Sequence, residues 1–392
     1  MLSLSKHDSS PCSKSCFDRL SMTSIFFMNQ TWLEISKDAL QNNVTQIKKN
    51  LPPQTKFIAV VKANAYGHGL MEVVSSVKNK VDYFAVYAFE DALFLRKKNI
   101  TRPILVLGKT FPSQISLAIK HQIEITVSTF DILAAAKKIS GKKKLMIHIC
   151  ADTGLGRDGF ISSDVKKILP LLQNTNLEVK GLYAHFAAAD DLSFDSYTKK
   201  QISELLKWKK SFAEIGLQPL LHHAASAAAI TSQAVDLDMV RVGISLYGLW
   251  PSKEIETKHK NKIKLIPALS WKTRIAEIKF LPKGSAISYN CTHILKRDSK
   301  LAVLPIGYFD GIARVSSNKS FAIVGGKKVP QIGRVTMNLI VLDVTDVADV
   351  KEGDVVEIIG KKITADDWAS WSQSSNYEVV TRINSVVRRV VV

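Results

Sequence analysis

At 392 residues the chain exceeds one average domain and can bury a full core, so a large domain with a smaller companion is the starting expectation. Its 46% apolar and 23% charged residues are those of a soluble globular protein, and no apolar run is long enough to span a membrane. Lys and Arg total 54 against 35 Asp and Glu, a net charge of +19, which admits an acidic partner; yet the densest patches, Lys142 to Lys144 and Lys258, Lys260, Lys262 and Lys264, lack interleaved aromatics, so a basic surface that attracts a small carboxylate is preferred to nucleic-acid binding.

The chain opens with a serine-rich stretch, 1–29, whose one apolar run, Ile25-Phe26-Phe27-Met28, is too short for a secretory signal; it reads as a disordered tail, with Met22 or Met28 as alternative starts. Cys12 and Cys16 form a lone C-x3-C without a second pair, which speaks against zinc. With Cys150 and Cys291 they are too few for a disulfide framework, and a reducing compartment, the cytoplasm, fits them.

From Trp32 to Asn50, Leu33, Ile35, Leu40, Val44 and Ile47 fall largely at helical spacing and predict a helix. Eight short apolar runs follow: Phe57 to Val61, Tyr83 to Ala88, Ile104 to Leu107, Glu124 to Ser128, Leu145 to Cys150, Leu182 to Phe186, Leu221 to Ala224 and Val240 to Leu246. Segments of helical character separate most of them, for example Phe130 to Ile139 and Ser196 to Ile215. The alternation predicts an α/β fold, a (β/α)8 TIM barrel over residues 30–262, with functional residues at the C-terminal ends of its strands. An open doubly wound sheet is the alternative, but Asn64-Ala65-Tyr66-Gly67-His68-Gly69 is not the glycine-rich dinucleotide turn it would want. After the basic linker Thr257 to Lys264, alternating runs and turns predict an antiparallel β-domain, 263–392, with a short helix around Asp366 to Trp371. No internal repeat is present.

The first run, Phe57-Ile58-Ala59-Val60-Val61, has no polar face and ends in Lys62. A lysine at the C-terminal end of a strand buried on both sides is partly desolvated, loses its charge readily and becomes a nucleophile for a carbonyl. A lysine that snorkels into solvent is the ordinary reading of such a residue taken alone. Tyr66 and two glycines follow, and the glycines let the backbone bend close to a ligand.

The whole stretch, VVKANAYGHG, resembles the cofactor-lysine motif of alanine racemases, barrel enzymes that carry pyridoxal 5′-phosphate (PLP). The segments Asp152-Thr153-Gly154-Leu155-Gly156-Arg157, Leu182-Tyr183-Ala184-His185-Phe186, Met239-Val240-Arg241-Val242-Gly243-Ile244 and Ile287-Ser288-Tyr289 match the same family, and the resemblance runs from about Thr31 to the C-terminus. It implies that Lys62 binds the cofactor covalently and that Lys62 and Tyr289 are bases on opposite faces of the substrate Cα. It places Arg241 at the pyridine nitrogen with His185 orienting it, gives Tyr66, Ser226, Gly243 and Ile244 to the phosphate, and gives Arg157 to the cofactor phenolic oxygen and the substrate carboxylate. The segments Gly307 to Gly311 and Gly333 to Met337 would line the entrance, Met337 at the substrate. Tyr289 would come from a partner subunit, making a homodimer with shared sites that supplies D-alanine for peptidoglycan.

Three departures stand out. Where many members carry a lysine that becomes carbamoylated, an aspartate and a tyrosine that reaches the phosphate, this chain has Cys150, Asn338 and Ser385. The resemblance assigns that carbamate to the arginine matching Arg157, so here a Cys150 thiolate or a bound anion is expected instead. A racemase for serine, lysine or arginine and a non-enzymatic PLP carrier are the alternative readings.

Overall fold

A computed structural model describes residues 30–141, 143–173, 175–231 and 237–392. The expected tail 1–29, with Cys12, Cys16, Met22 and Met28, lies outside the described residues, as does Lys142. The first element corrects the sequence reading. Thr31–Ile35 is a strand (β1), and only Lys37–Lys48 is helical, with Ser36 capping it through a 3.2 Å bond from Ala39 N–H.

Eight parallel strands form the barrel: β2 (Lys56–Val60), β3 (Tyr83–Val86), β4 (Ile104–Val106), β5 (Glu124–Val127), β6 (Leu145–Cys150), β7 (Leu177–Tyr183), β8 (Leu220–His222) and β9 (Met239–Val242), in the order β8-β7-β6-β5-β4-β3-β2-β9. β3, β4, β5 and β9 are buried at every residue, because the barrel interior covers one face and the outer helices the other. The ring closes between β8 and β9 through the Arg241 N–H to the Ala224 carbonyl at 2.9 Å and the Asp238 N–H to the Leu221 carbonyl at 3.1 Å. The outer helices bury one stripe each; Asp195–Glu214 turns Thr198, Gln201, Leu205, Trp208 and Phe212 inward at steps of three and four.

The C-terminal part adds β10 (Leu269–Arg274), β11 (Glu277–Leu281), β12 (Ala286–Ile287), β13 (His293–Ile294), β14 (Ser299–Leu304), β15 (Phe321–Val324), β16 (Lys327–Ile332), β17 (Ile340–Asp343), β18 (Val355–Ile359) and β19 (Arg388–Val391). β12 and β13 pair with each other, and the rest make a nine-stranded sheet ordered β11-β14-β17-β16-β15-β18-β10-β1-β19. β10 alternates buried and half-buried residues along Leu269-Ser270-Trp271-Lys272-Thr273-Arg274, which marks a one-sided sheet. Gly325 and Gly326, with φ of 55° and 79°, make the two-residue turn between β15 and β16 that needs positive φ at both places. The sheet is antiparallel except that β1 runs parallel to β19, so residues from the N-terminal end complete a sheet built by the other end. Two helices, Ala365–Ser372 and Asn376–Thr381, lie between β18 and β19; the sequence pattern showed only the first. The basic stretch read as a linker begins inside the helix Lys253–His259, capped by Ser252.

Candidate active site

A cavity of about 870 Å³ opens at the C-terminal ends of the barrel strands. Its wall takes Lys62 from the end of β2, Arg157 and Asp158 from the loop after β6, His185 from just past β7, Ser226 after β8, and Arg241, Gly243 and Ile244 from β9 and the turn following it. The helix Asn376–Thr381 adds Tyr377 and Thr381.

Lys62 leads into an unusual piece of backbone. Ala63, Asn64, Ala65 and Tyr66 all have φ of 52° to 53°, a left-handed helical turn made entirely of non-glycine residues. Such residues cost about 1–2 kcal/mol each, so the surroundings must impose the turn. Asn64 Oδ1 accepts from the Leu70 N–H at 2.8 Å, and the Gly69 N–H donates to the Asn64 carbonyl at 2.9 Å. Arg389 of β19 donates from Nε and Nη2 to the Gly67 carbonyl at 3.1 and 3.0 Å. Gly67, at φ 78°, is pressed so close to the C-terminal helix that a Cβ there would lie 1.9 Å from the Val380 carbonyl oxygen. The β-sheet thus clamps the loop that presents the lysine.

The turn carries Tyr66 back to the barrel end, packed on Tyr247 with ring centroids 5.0 Å apart. A Cβ on Gly243 would lie 2.5 Å from the Tyr66 hydroxyl, so the glycine makes room for it. Burial pushes the Tyr66 phenol up to about 12, leaving a neutral O–H donor. Beside it the Ser226 Oγ accepts from the Gly243 N–H at 3.0 Å and the Ser245 N–H at 3.4 Å, and it gives its own helix no cap. Ile244 opens the short turn Ile244–Tyr247 at the same place.

The opposite wall is cationic. Arg241, fully within the interior, donates from Nη1 to His222 Nδ1 at 2.7 Å and to the His222 carbonyl at 2.5 Å, and from Nη2 to the Ala184 carbonyl at 2.7 Å and His185 Nδ1 at 3.2 Å. Its guanidinium also stacks over Tyr183, 5.0 Å from the ring centroid. Burial draws Arg241 down to about 10, still a cation at neutral pH. Burial, then Arg241, Arg157 and Lys62, hold His185 down to about 3, so it is a neutral imidazole accepting at Nδ1. Lys62 is lowered by burial first and by Arg157 and Arg241 next, which favours a free amine.

Arg157 sits in a loop organised by Asp152, whose carboxylate accepts from the N–H groups of Gly154, Leu155 and Gly156 at 2.9 to 3.1 Å. Its Nε lies 3.1 Å from Asp158 Oδ1. The expected Cys150 thiolate is not the partner: burial, then Asp158, push that thiol up to about 12, and its Sγ contacts the Asp158 carbonyl at 3.8 Å. Asp158 is the anionic partner that the described residues give Arg157. Sequence reading passed over Asp158 as one more loop residue.

Tyr289 and Met337 are not at the cavity. They are 68% and 53% exposed, on the β-sheet part of the chain. The segment carrying Tyr289 and the two expected at an entrance pack together there: Ser288 Oγ donates to the Arg334 carbonyl at 2.9 Å, and the N–H groups of Tyr308 and Phe309 donate to the carbonyls of Thr336 and Met337 at 2.9 and 3.0 Å. Ser385 is exposed and away from the cavity; Tyr377 and Thr381 face it instead.

A barrel with a half-buried lysine beside a buried Arg241 and an exposed Arg157 at its C-terminal mouth, joined to a separate β-sheet, defines a class of amine-chemistry enzymes on this fold. Comparison with known proteins gives the same answer. The family models for the alanine racemase N-terminal domain and the alanine racemase C-terminal domain match residues 35–251 and 268–391. An alanine racemase of Methanococcus maripaludis is 39% identical over 369 residues, covering 92% of this chain and 98% of that one. Alanine racemase 2 of Bacillus subtilis is 36% identical over 373 residues, covering 92% and 94%. Among solved structures, alanine racemase of Clostridium difficile 630 superposes with a TM-score of 0.86 at 33% identity, covering 93% of this chain and 96% of that one. The Bacillus anthracis alanine racemase with bound L-Ala-P gives 0.86 at 37% identity, covering 93% and 95%. The chain belongs to the alanine racemase family.

Proposed function

We propose that this chain interconverts L-alanine and D-alanine with PLP as cofactor, working in the cytoplasm as a homodimer and supplying D-alanine for peptidoglycan. The observation that carries the reading is Lys62 itself, an amine of lowered proton affinity at the end of β2, facing Arg157 and Arg241.

The residues present fit the cofactor. The Tyr66 hydroxyl, Ser226 and the backbone at Gly243 and Ile244 gather at one end of the cavity, where the missing Cβ of Gly243 leaves the Tyr66 hydroxyl room, and they suit a phosphate. Arg241 would meet the pyridine nitrogen and Lys62 the aldehyde. When bound, PLP supplies an aldehyde that combines with amines and a ring that draws electrons from the substrate Cα.

The chain's own groups do the rest. Lys62, released as a neutral amine, takes or returns the Cα proton on one face. Arg157, held by Asp158, meets the substrate carboxylate and fixes which bond to Cα is presented. Arg241 keeps its proton, and a cation there disfavours a second positive charge on the ring nitrogen. That weakens the electron sink and favours returning the proton to Cα. Tyr289, exposed on its own chain, serves the opposite face of Cα in the partner's cavity, and Met337 lines the same mouth. The pair of sites then closes under two-fold symmetry.

The test is racemisation of a panel of L-amino acids by the purified protein with PLP, followed by chiral separation. Turnover of alanine well above serine, lysine and arginine is expected. Cofactor binding without Cα-hydrogen exchange for any of them would overturn the reading.

A further inference from the structure

Behind Arg241, away from the cavity mouth, a chain of buried titratable groups runs through the barrel interior. Glu124 Oε2 is 2.6 Å from His148 Nε2, His148 Nδ1 is 2.8 Å from His222 Nε2, and His222 Nδ1 is 2.7 Å from Arg241 Nη1. All four residues are at most 4% exposed. They come from β5, β6, β8 and β9, and β7 completes the channel with a gap: a Cβ on Gly181 would lie 2.1 Å from His148 Nδ1 and 2.8 Å from His222 Nε2.

The hydrogens along this chain are fixed by elimination. A guanidinium only donates, so His222 accepts at Nδ1 and carries its hydrogen on Nε2. His148 then accepts at Nδ1 and donates from Nε2 to the Glu124 carboxylate. A doubly protonated His148 would push the His222 hydrogen onto Nδ1, facing the Arg241 donor at 2.7 Å. Both imidazoles are therefore neutral and polarised in one direction. The described ion pairs include none to Arg241, whose other contacts are carbonyls, His185 and the Tyr183 ring. On its far side Glu124 feels Tyr83 and Arg96, and the Arg96 guanidinium is taken up by four backbone carbonyls, those of Ile100, Arg102, His121 and Gln122.

We propose that Glu124 is the remote counter-ion of Arg241, coupled to it through the oriented pair His148 and His222, and that this relay positions and sustains the Arg241 cation. Buried charges require compensation, and a carboxylate linked through two polarised imidazoles adds from behind to what Asp158 supplies across the cavity. Glu124, His148 and His222 are thus positioning residues. The consequence for catalysis rests on the reading that Arg241 meets PLP; the relay itself does not.

Two measurements on the full chain test it. In the apoprotein with 15N-labelled histidine at neutral pH, the ring nitrogens of His148 and His222 should both report the neutral Nε2–H form. A cationic ring or an Nδ1–H form at either residue would overturn the relay. Glu124→Gln keeps an acceptor for His148 and removes only the charge, and it forms a double-mutant cycle with Arg241→Met. The Tm loss of the double variant should fall clearly short of the summed single losses; additive losses would overturn the proposal. If Glu124→Gln does not fold, Glu124→Asp takes its place in the cycle, and the labelled-histidine result on the unsubstituted chain decides independently. Weakening of PLP binding by Glu124→Gln, about threefold or more, is expected from coupling of this kind. A non-additive cycle with unchanged PLP affinity would uphold the relay and remove Arg241 from the cofactor site.

Discussion

Arg157 Nε and Asp158 Oδ1 lie 3.1 Å apart, a pair between neighbours in sequence that fixes the guanidinium at the cavity mouth. Both side chains are well exposed, 61% and 42%, so the pair matters for direction more than for stability. Exposed pairs contribute roughly 0.2–1 kcal/mol. Asp158→Asn should therefore raise the KM for alanine about two- to fivefold with little change in kcat. With Asp158 in place, exchanging chloride for a poorly coordinating anion at equal ionic strength should leave KM unchanged, and bicarbonate should have no special effect. In Asp158→Asn an anion dependence should emerge. Steady-state kinetics in the two salts check both statements; anion sensitivity of the unsubstituted protein would show that Asp158 is not the partner that counts.

Lys62 titrates below an ordinary lysine because of burial and of two arginines. Its folded-state pKa is depressed, so the apoprotein resists protonating it. The associated stability is fully present above the unfolded-state pKa and is lost as pH falls through the folded value. At neutral pH Lys62 is therefore a burden on the apoprotein, because the unfolded chain binds its proton more readily, and Lys62→Met should raise the apoprotein Tm there, with the difference shrinking toward pH 10.5. The same variant should lose the visible absorption of the lysine-bound cofactor and racemase activity by at least about 10²-fold. Thermal melts across pH and a spectrum after PLP addition are the measurements.

The left-handed turn offers a separate test. Asn64 is the one residue in 63–65 whose side chain both tolerates positive φ and makes a bond, to the Leu70 N–H. Asn64→Ala should cost about 1–2 kcal/mol, combining a lost cap with left-handed strain. Asn64→Gly should cost less, since it loses the cap and relieves the strain. Denaturant unfolding of the two variants gives the order, and a larger loss for glycine would contradict it.

The barrel was legible because eight apolar runs alternate with helical segments, and Lys62 because it ends a run with no polar face. β1 was not legible: its partners in β10 and β19 are more than 200 residues away, and four alternating residues before a real helix merge with the helical pattern. The left-handed turn was hidden because Lys62-Ala63-Asn64-Ala65-Tyr66 contains no glycine to announce positive φ. Glu124 and His148 each looked like a single polar residue in an apolar strand, and only the closing of the barrel sets them in line with His222 and Arg241. Asp158 was passed over because adjacency in a loop says nothing about where two side chains point.

Tyr289 and Lys62 belong to different faces of the same chain, one exposed on the β-sheet part and one in the barrel cavity. If each cavity is completed by the partner's tyrosine, Lys62→Ala and Tyr289→Phe homodimers should both be defective for different reasons. In a mixed dimer, one cavity combines the intact lysine of the Tyr289→Phe chain with the intact tyrosine of the Lys62→Ala chain. The other cavity lacks both. Random reassortment at equal amounts makes half of the dimers mixed, each with one complete site, so activity should recover to about a quarter of the unsubstituted level. The two single variants should also differ in character. Tyr289→Phe should keep the bound cofactor and slow proton removal from L-alanine more than from D-alanine, read as unequal Cα isotope effects in the two directions. Reassortment shown by differently tagged chains, with no recovery of activity, would mean that each chain completes its own site and that the exposed tyrosine must fold back onto its own barrel.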